Sequence, residues 1–279
     1  MKKVILDSDT FNEADDMFAI AYLFKNKNLF DIKAITITPF KHSGYSKTVF
    51  ESIDDSYNET CKIFDYLGID DKSLIYKGSR DYLSNGYYQD NDAVNKIIEL
   101  ALNNEQLTIV AIGCLTNIAL AIKKEPSIIK KIEIIWLGSN FLFGDNKDFN
   151  FRQDVEAVKT VFYSKVKLTV VPTSPITSNL LTSIYELKAE IGGKSKLCDY
   201  LCDKFYNRFW GPHKRYPIWD IGAIAYLINK DWFKTMNISC PIINDDNTFT
   251  FTNGEHLITF VKQLNANEIL ENLFESLRK

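Results

Sequence analysis

Short apolar runs alternate with longer segments of helical periodicity along most of the chain. The runs are nearly continuous and predict buried strands at residues 3–6, 33–38, 74–76, 107–112, 132–137 and 167–171. The segments between them predict helices at residues 17–24, 46–67, 92–102, 117–124 and 154–163. Because strands and helices alternate, we expect an α/β fold with a mostly parallel, Rossmann-like sheet and helices on both faces.

The last third of the chain has a different pattern. Consecutive helices are predicted at residues 183–191, 195–207 and 218–229, and a last helix at residues 266–278. Two short apolar runs, at residues 248–252 and 256–261, flank Asn253-Gly254, a dipeptide that favours a tight turn, so we expect a small C-terminal hairpin. Because there is no repeat, flexible linker or break in composition, we interpret residues 1–279 as a single domain.

Charge and composition exclude several functional classes. The chain has 33 basic and 36 acidic residues and a net charge of −3, so nucleic acid is a poor candidate for a partner. Every apolar run is broken by charge before it reaches the length of a membrane span, and the first one is too short for a secretion signal. The five cysteines are scattered without a CxxC pair, which is typical of reduced thiols and favours a cytoplasmic enzyme.

An acidic cluster follows the first predicted strand. Its members are Asp7, Asp9, Glu13, Asp15 and Asp16, at a turn where the sheet of an α/β protein binds ligands. Acids in the first turn of a helix are favoured by its dipole, but this explains only two of the five. No lysine or arginine lies between positions 3 and 25 to offset the charge. A hard divalent cation with oxygen ligands is therefore the simplest explanation.

Two kinds of enzyme use such a cluster. Residues 4–10 (VILDSDT) match the hydrophobic-Asp-x-Asp-x-Thr pattern of haloacid-dehalogenase-like phosphatases. In those enzymes the first aspartate, here Asp7, is a nucleophile and Mg²⁺ assists. A pair of aspartates at a strand end is common by chance, so a Mg²⁺-dependent phosphatase remains one hypothesis, to be weighed against the rest of the chain.

Four segments in sequence resemble one family. Residues 5–19 (ILDSD…DDMFA) are similar to its opening signature, and residues 113–119 (GCLTNIA) are similar to its GGLTNIA segment. Residues 148–157 (DFN…DVEA) resemble its EFN…DPEAA segment, and residues 219–223 (WDIGA) its HDPxA segment. The family is that of the nucleoside hydrolases, the inosine–uridine-preferring ribohydrolases. The match extends from residue 3 to beyond residue 229.

The resemblance implies a metal site and a reaction. A Ca²⁺ ion would be held by Asp9, Asp16, Asp220 and the main-chain carbonyl of Ile112. The reaction would be hydrolysis of the N-glycosidic bond of a ribonucleoside, through an oxocarbenium-like transition state and a water activated by the metal. Asp15 would be the general base. The family also implies a homodimer or homotetramer.

Four further residues are expected to contact the substrate. Asn150 and Asp148 would hold ribose hydroxyls by resemblance, although a polar loop that caps the next helix is the alternative. Trp219 stands where several members have a histidine that protonates the leaving base. His42 is a weaker candidate for a ribose contact, near the position where the family has a ribose-binding asparagine.

Departures from the family pattern leave the substrate open. The spacing from Asp9 to Asp15 is two residues longer than usual, so Asn12 or Glu13 could join the site. An indole cannot donate a catalytic proton, so either the leaving group needs none or another residue serves. His213 or Arg215, in the aromatic and basic stretch before residue 220, could assist its departure. A non-catalytic ribose- or nucleoside-binding protein is therefore a third hypothesis.

Overall fold

A central sheet organises the chain. The computed structural model describes residues 1–42, 44, 46–86, 88–144, 146–208 and 215–279. The strands in these residues are β1 (Lys2–Ser8), β2 (Phe30–Ile37), β3 (Ile75–Lys77), β4 (Leu107–Ala111), β5 (Ile132–Leu137), β6 (Lys167–Val171), β7 (Leu181–Thr182), β8 (Tyr216–Pro217), β9 (Phe233–Ser239), β10 (Ile242–Ile243), β11 (Phe249–Thr250) and β12 (Leu257–Leu264).

Eight of these strands form one sheet in the order β3-β2-β1-β4-β5-β6-β12-β9. All neighbouring pairs are parallel except β12 and β9. Strands β3-β2-β1-β4-β5-β6 have the order of a doubly wound Rossmann sheet. In such a sheet the order in which strands are added reverses between β1 and β4, with β2 and β3 on one side and β4 to β6 on the other. The predicted fold class, a mostly parallel α/β sheet, is confirmed.

Helices cover both faces of the sheet. They are α1 (Asp15–Lys25), α2 (Val49–Tyr66), α3 (Asp92–Leu102), α4 (Thr116–Lys124), α5 (Phe149–Gln153), α6 (Val155–Tyr163), α7 (Ile184–Glu190), α8 (Lys196–Arg208), α9 (Ile221–Ile228) and α10 (Ala266–Arg278). Val4 and Leu6 of β1 belong to the core beneath α1, whereas Ile5 faces the core on the other side with Trp136. This alternation explains why the central strands read as continuous apolar runs.

The predicted hairpin around Asn253-Gly254 is wrong in its pairing. Strand β11 pairs with β10 through a turn in which Asn244 N–H donates to the Thr248 carbonyl, and β12 pairs with β9 and β6. The small antiparallel pair is therefore formed by β10 and β11, which precede the Asn253-Gly254 turn in the chain. Strand β9 was missed because it is the sheet edge, where most of its side chains are partly exposed and no apolar run forms.

None of the helices in the described ranges combines the length and the apolar character that crossing a membrane requires.

Candidate active site

Four aspartates converge at the carboxyl ends of β1 and β4, where the strand order of the sheet reverses. Asp9 follows the end of β1, and Ile112 follows the end of the neighbouring strand β4, where its N–H donates to the Asp7 carbonyl at 2.8 Å. Asp15 and Asp16 begin α1, and Asp220 directly precedes α9. Because α1 and α9 pack against each other, carboxylate oxygens of residues 15, 16 and 220 lie within 4.8 Å of one another.

A pocket of about 380 Å³ opens over this cluster. It contains all nine residues expected from the sequence: Asp9, Asp15, Asp16, His42, Ile112, Asp148, Asn150, Trp219 and Asp220. The two residues of the longer loop, Asn12 and Glu13, also line it. Residues that sequence reasoning missed complete the wall: Leu137, Asn140, Lys147, Phe149, Arg152, Thr173, Ser174 and Ser178. The position of residues 173 and 174 just after strand β6 was a signal that could have found them.

The carboxylates are buried and poorly compensated. Neither oxygen of Asp9 nor Asp15 Oδ1 has a hydrogen-bond partner in the described part of the chain. Ser8 Oγ donates to Asp16 Oδ1 at 2.8 Å, and Asp220 N–H donates to Asp15 Oδ2 at 3.3 Å. Burial and then neighbouring carboxylates raise the pKa of Asp9, Asp15 and Asp220 well above the ordinary range, and burial raises the pKa of Asp16 to about 7. Such a group of oxygens is stabilised by a cation.

The donor set fits a hard divalent cation. The ligands implied by the family are carboxylates and one main-chain carbonyl, with no thiolate or imidazole among them, which suits Ca²⁺ or Mg²⁺ better than zinc. The Ile112 carbonyl accepts a hydrogen bond from Asn150 Nδ2 at 2.9 Å, and a carbonyl oxygen has a second lone pair left for a metal.

Asn150 connects two strand ends. Its Nδ2 group donates to the carbonyl of Ile112 after β4 and, at 3.0 Å, to the carbonyl of Leu137 at the end of β5. Both amide hydrogens are thus occupied by the main chain. The oxygen is the group that this side chain has left for a ligand hydroxyl in the pocket.

Asp148 caps α5 from the wall of the pocket. Its Oδ1 accepts hydrogen bonds from Ser139 N–H and Phe151 N–H, both at 2.8 Å, and its Oδ2 accepts one from Thr173 Oγ1 at 2.8 Å. Burial raises the pKa of this carboxyl group. The capping role considered from the sequence is therefore present, for α5 rather than for the helix after residue 154.

Aromatic residues flank the rest of the pocket. The ring of His42 lies 6.1 Å from that of Phe149, centroid to centroid. Trp219 Nε1 donates to Ser178 Oγ at 3.1 Å, and Tyr216 meets the indole edge-on. His213, the candidate proton donor, lies outside the described residues.

Asp7 lies where its carboxylate cannot reach a substrate in the pocket. Its side chain is fully buried below the pocket, and its Oδ1 accepts hydrogen bonds from Thr36 Oγ1 at 2.6 Å and Asn117 Nδ2 at 2.9 Å. It is not part of the pocket wall. The phosphatase hypothesis, which needs Asp7 to attack a substrate, is contradicted by this position.

A Rossmann-like sheet with a pocket at its switch point is typical of α/β proteins that bind a small ligand at the carboxyl ends of their strands, and the buried group Asp15, Asp16 and Asp220 beside this pocket could hold a cation. The family model described as inosine-uridine preferring nucleoside hydrolase matches residues 4–271, and the chain belongs to this family.

Curated relatives are moderately similar over part of their length. The chain is 30% identical over 163 residues to a probable ribonucleoside hydrolase of Dictyostelium discoideum, covering 53% of this chain and 44% of that protein. It is 30% identical over 160 residues to the pyrimidine-specific ribonucleoside hydrolase RihB of Shigella flexneri serotype 5b, covering 52% and 50%. The aligned region thus spans about half the length of these relatives.

Solved structures share the fold over the whole chain. An inosine-guanosine nucleoside hydrolase superposes with a TM-score of 0.80 at 15% identity, covering 99% of this chain and 98% of the other. A purine-preferring ribonucleoside hydrolase from Gardnerella vaginalis gives 0.78 at 19% identity, with the same coverage. At these identities the likeness concerns the fold alone.

Proposed function

We propose that this chain hydrolyses the N-glycosidic bond of a ribonucleoside or a related N-ribosyl compound, with Ca²⁺ as cofactor. The observation that carries the proposal is a set of buried oxygens, both of Asp9 and Oδ1 of Asp15, that have no hydrogen-bond partner in the described ranges and lie beside Asp16 and Asp220. Membership of the nucleoside hydrolase family supports the reaction class.

The cation would be held by Asp9, Asp16, Asp220 and the Ile112 carbonyl. When bound, Ca²⁺ would polarise a water molecule and bind the ribose diol. Asn150 supports this set because it fixes the Ile112 carbonyl with one amide hydrogen. Asn150 would thus hold the ligand carbonyl with its NH₂ group and contact the ribose with its Oδ1 atom.

Asp15 is the proposed general base. The N–H of Asp220 donates to its Oδ2, which orients the carboxylate and leaves Oδ1 to accept the proton of an attacking water. The surrounding carboxylates stabilise the positive charge that develops on the ribose ring as the bond breaks. Asn150 and Asp148 would position ribose hydroxyls, the latter through the acceptor site left on its Oδ2 atom.

The leaving base would lie among the aromatic groups of the pocket. His42 and Trp219 are the proposed contacts, and their rings offer stacking surfaces. The Trp219 indole only donates, and its N–H is occupied by Ser178, so it supplies no catalytic proton. We also propose a cytoplasmic homodimer or homotetramer, supported by the family and by the five free cysteines.

A nucleoside panel tests the proposal. Purine and pyrimidine ribonucleosides, and their 2′-deoxy counterparts, are incubated with the full chain in excess Ca²⁺ or excess chelator, and free base and free ribose are quantified. We expect release from at least one ribonucleoside that depends on Ca²⁺ and is much weaker for its 2′-deoxy form. Tight nucleoside binding without release at full Ca²⁺ occupancy would instead favour the non-catalytic binding protein.

A further inference from the structure

One buried polar atom near the site is unexplained by the ligand set above. Asn12 is buried, with 6% of the residue exposed, and its Oδ1 has no hydrogen-bond partner among the residues that the structure describes. The described chain has six such buried atoms, and four of them belong to residues 9, 12 and 15 of the pocket wall. A buried amide oxygen without a donor is costly, by about 1–3 kcal/mol.

The loop between β1 and α1 brings this side chain back to the pocket. Asn12 N–H donates to the Asp9 carbonyl at 2.7 Å and closes a turn over residues 9–12. These residues lie in the loop that is two residues longer than the usual spacing of the family. The extra length thus brings a buried amide side chain into the wall of the pocket that the carboxylates also line.

The groups around Asn12 indicate which kind of ligand its amide oxygen would bind. A buried amide oxygen that accepts no hydrogen bond is stabilised when a cation lies within reach of it. The carboxylates that line the same pocket as Asn12 are the groups that would hold such a cation. Ca²⁺ takes six to eight oxygen ligands, and amide carbonyls are among them. A neutral ligand also adds no further charge to a site that already has four carboxylates.

We propose that Asn12 Oδ1 is an additional ligand of the cation in this chain, contributed by the longer loop. The inference rests on the proposed function, because it concerns the same Ca²⁺ site. It adds a residue outside the set that the family resemblance implies.

Calcium titration of the full chain tests the proposal. The dissociation constant is measured by calorimetry after chelator treatment, for wild type, Asn12→Leu, Asn12→Asp and the control Asn207→Leu. Asn207 is an exposed asparagine beside the same loop. We expect Asn12→Leu to weaken Ca²⁺ binding about tenfold or more, Asn12→Asp to retain it, and Asn207→Leu to leave it unchanged.

Thermal unfolding in chelator separates a ligand from a structural residue. Without metal, Asn12→Leu is expected to be at least as stable as wild type, because it removes a buried oxygen that has no donor. Unchanged calcium affinity of Asn12→Leu would overturn the inference, as would a loss of metal-free stability with the calcium-induced shift intact. If wild type itself binds no Ca²⁺, the proposed function fails; if only the variants disagree, the role of Asn12 fails alone.

Discussion

Replacing Gly113 by alanine is expected to weaken calcium binding while the fold stays in place. Gly113 follows the carbonyl of Ile112 and passes close to the side chain of Asp9. A Cβ atom at this position would lie 2.8 Å from Asp9 Oδ1 and 2.5 Å from Thr38 Cγ2. Both distances are too short for van der Waals contact, so either the carboxylate or the main chain has to move.

The size of the movement sets the expected effect. Ordinary contact begins at 3.4 Å, so Asp9 or the main chain at Ile112 must shift by about 0.6 Å. Metal–ligand distances tolerate only about 0.2 Å, so affinity should fall roughly 10- to 100-fold. The cost in stability should be near the lower end of the ~1–3 kcal/mol typical of overpacking. Asp9 Oδ1 has no hydrogen bond to lose within the described residues.

The assay is thermal unfolding with and without Ca²⁺. A ligand present at about 100 times its dissociation constant stabilises a protein by about 2.7 kcal/mol, and a tenfold weaker affinity removes about 1.4 kcal/mol of this. For a chain of 279 residues the calcium-induced increase in Tm should therefore shrink by about 2 °C for a tenfold loss of affinity and by about 4 °C for a hundredfold loss. Nearly full calcium stabilisation of Gly113→Ala would refute the assignment of Asp9 and the Ile112 carbonyl as ligands.

The matched control is Gly192→Ala. Its Cβ would lie 2.5 Å from the carbonyl oxygen of Lys188, a clash of similar severity outside the pocket. This variant should lower Tm equally in Ca²⁺ and in chelator. A variant that is destabilised in both conditions by the same amount is thus distinguished from one that has lost metal affinity.

Three further predictions concern single carboxylates. Asp220→Ala should lose calcium affinity and turnover together, as measured by calorimetry and by base release. Asp15→Asn should keep calcium affinity but lose about 10²- to 10⁴-fold in kcat, and an unchanged kcat would exclude it as the base. Burial raises the pKa of Glu133, but hydrogen bonds from Lys167 and Thr108 outweigh this and hold it at about 2, below the ordinary 4.5. The stabilisation is present above pH 4.5 and is lost as the pH falls through about 2, so urea unfolding of Glu133→Gln should show a deficit at pH 7 that narrows steadily below pH 4.5 and closes only below about pH 2.

The sequence predicts the sheet because its central strands are buried on both faces. Residues 107–112 and 132–137 read as continuous apolar runs and correspond to β4 and β5. The same argument fails at the edge, where β9 exposes Lys234, Thr235 and Asn237 and forms no apolar run, and at the Asn253-Gly254 turn. There, local turn propensity competes with pairing to distant strands, and the long-range pairs of β12 with β9 and β6 prevail.

The site is predicted only as far as local pattern and resemblance extend. The acids of the β1–α1 turn stand out because apolar segments flank them. Asp220 lies more than 200 residues later, and its residue type alone would not place it beside Asp15. Polar residues such as Ser178 and Asn140 carry no local signal, because their place in the pocket depends on how loops fold over the sheet. The capping bonds of Asp148 likewise require coordinates.

The position of the site also explains why a cation would matter for stability. Strands β1 and β4 lie side by side, and the chain leaves them in opposite directions, which opens a crevice at their carboxyl ends. Helix α9 then packs on α1 and brings Asp220 to Asp15 and Asp16, so packing of the apolar helices forces three acids together. Burial, followed by the charge of Asp15, raises the pKa of Asp220, and an equivalent effect with Asp16 raises that of Asp9. Apolar packing of α1 and α9 holds this arrangement against the repulsion, and a bound cation would turn that repulsion into attraction. Metal binding should therefore strengthen the contact between the first and the ninth helix, which are far apart in the chain.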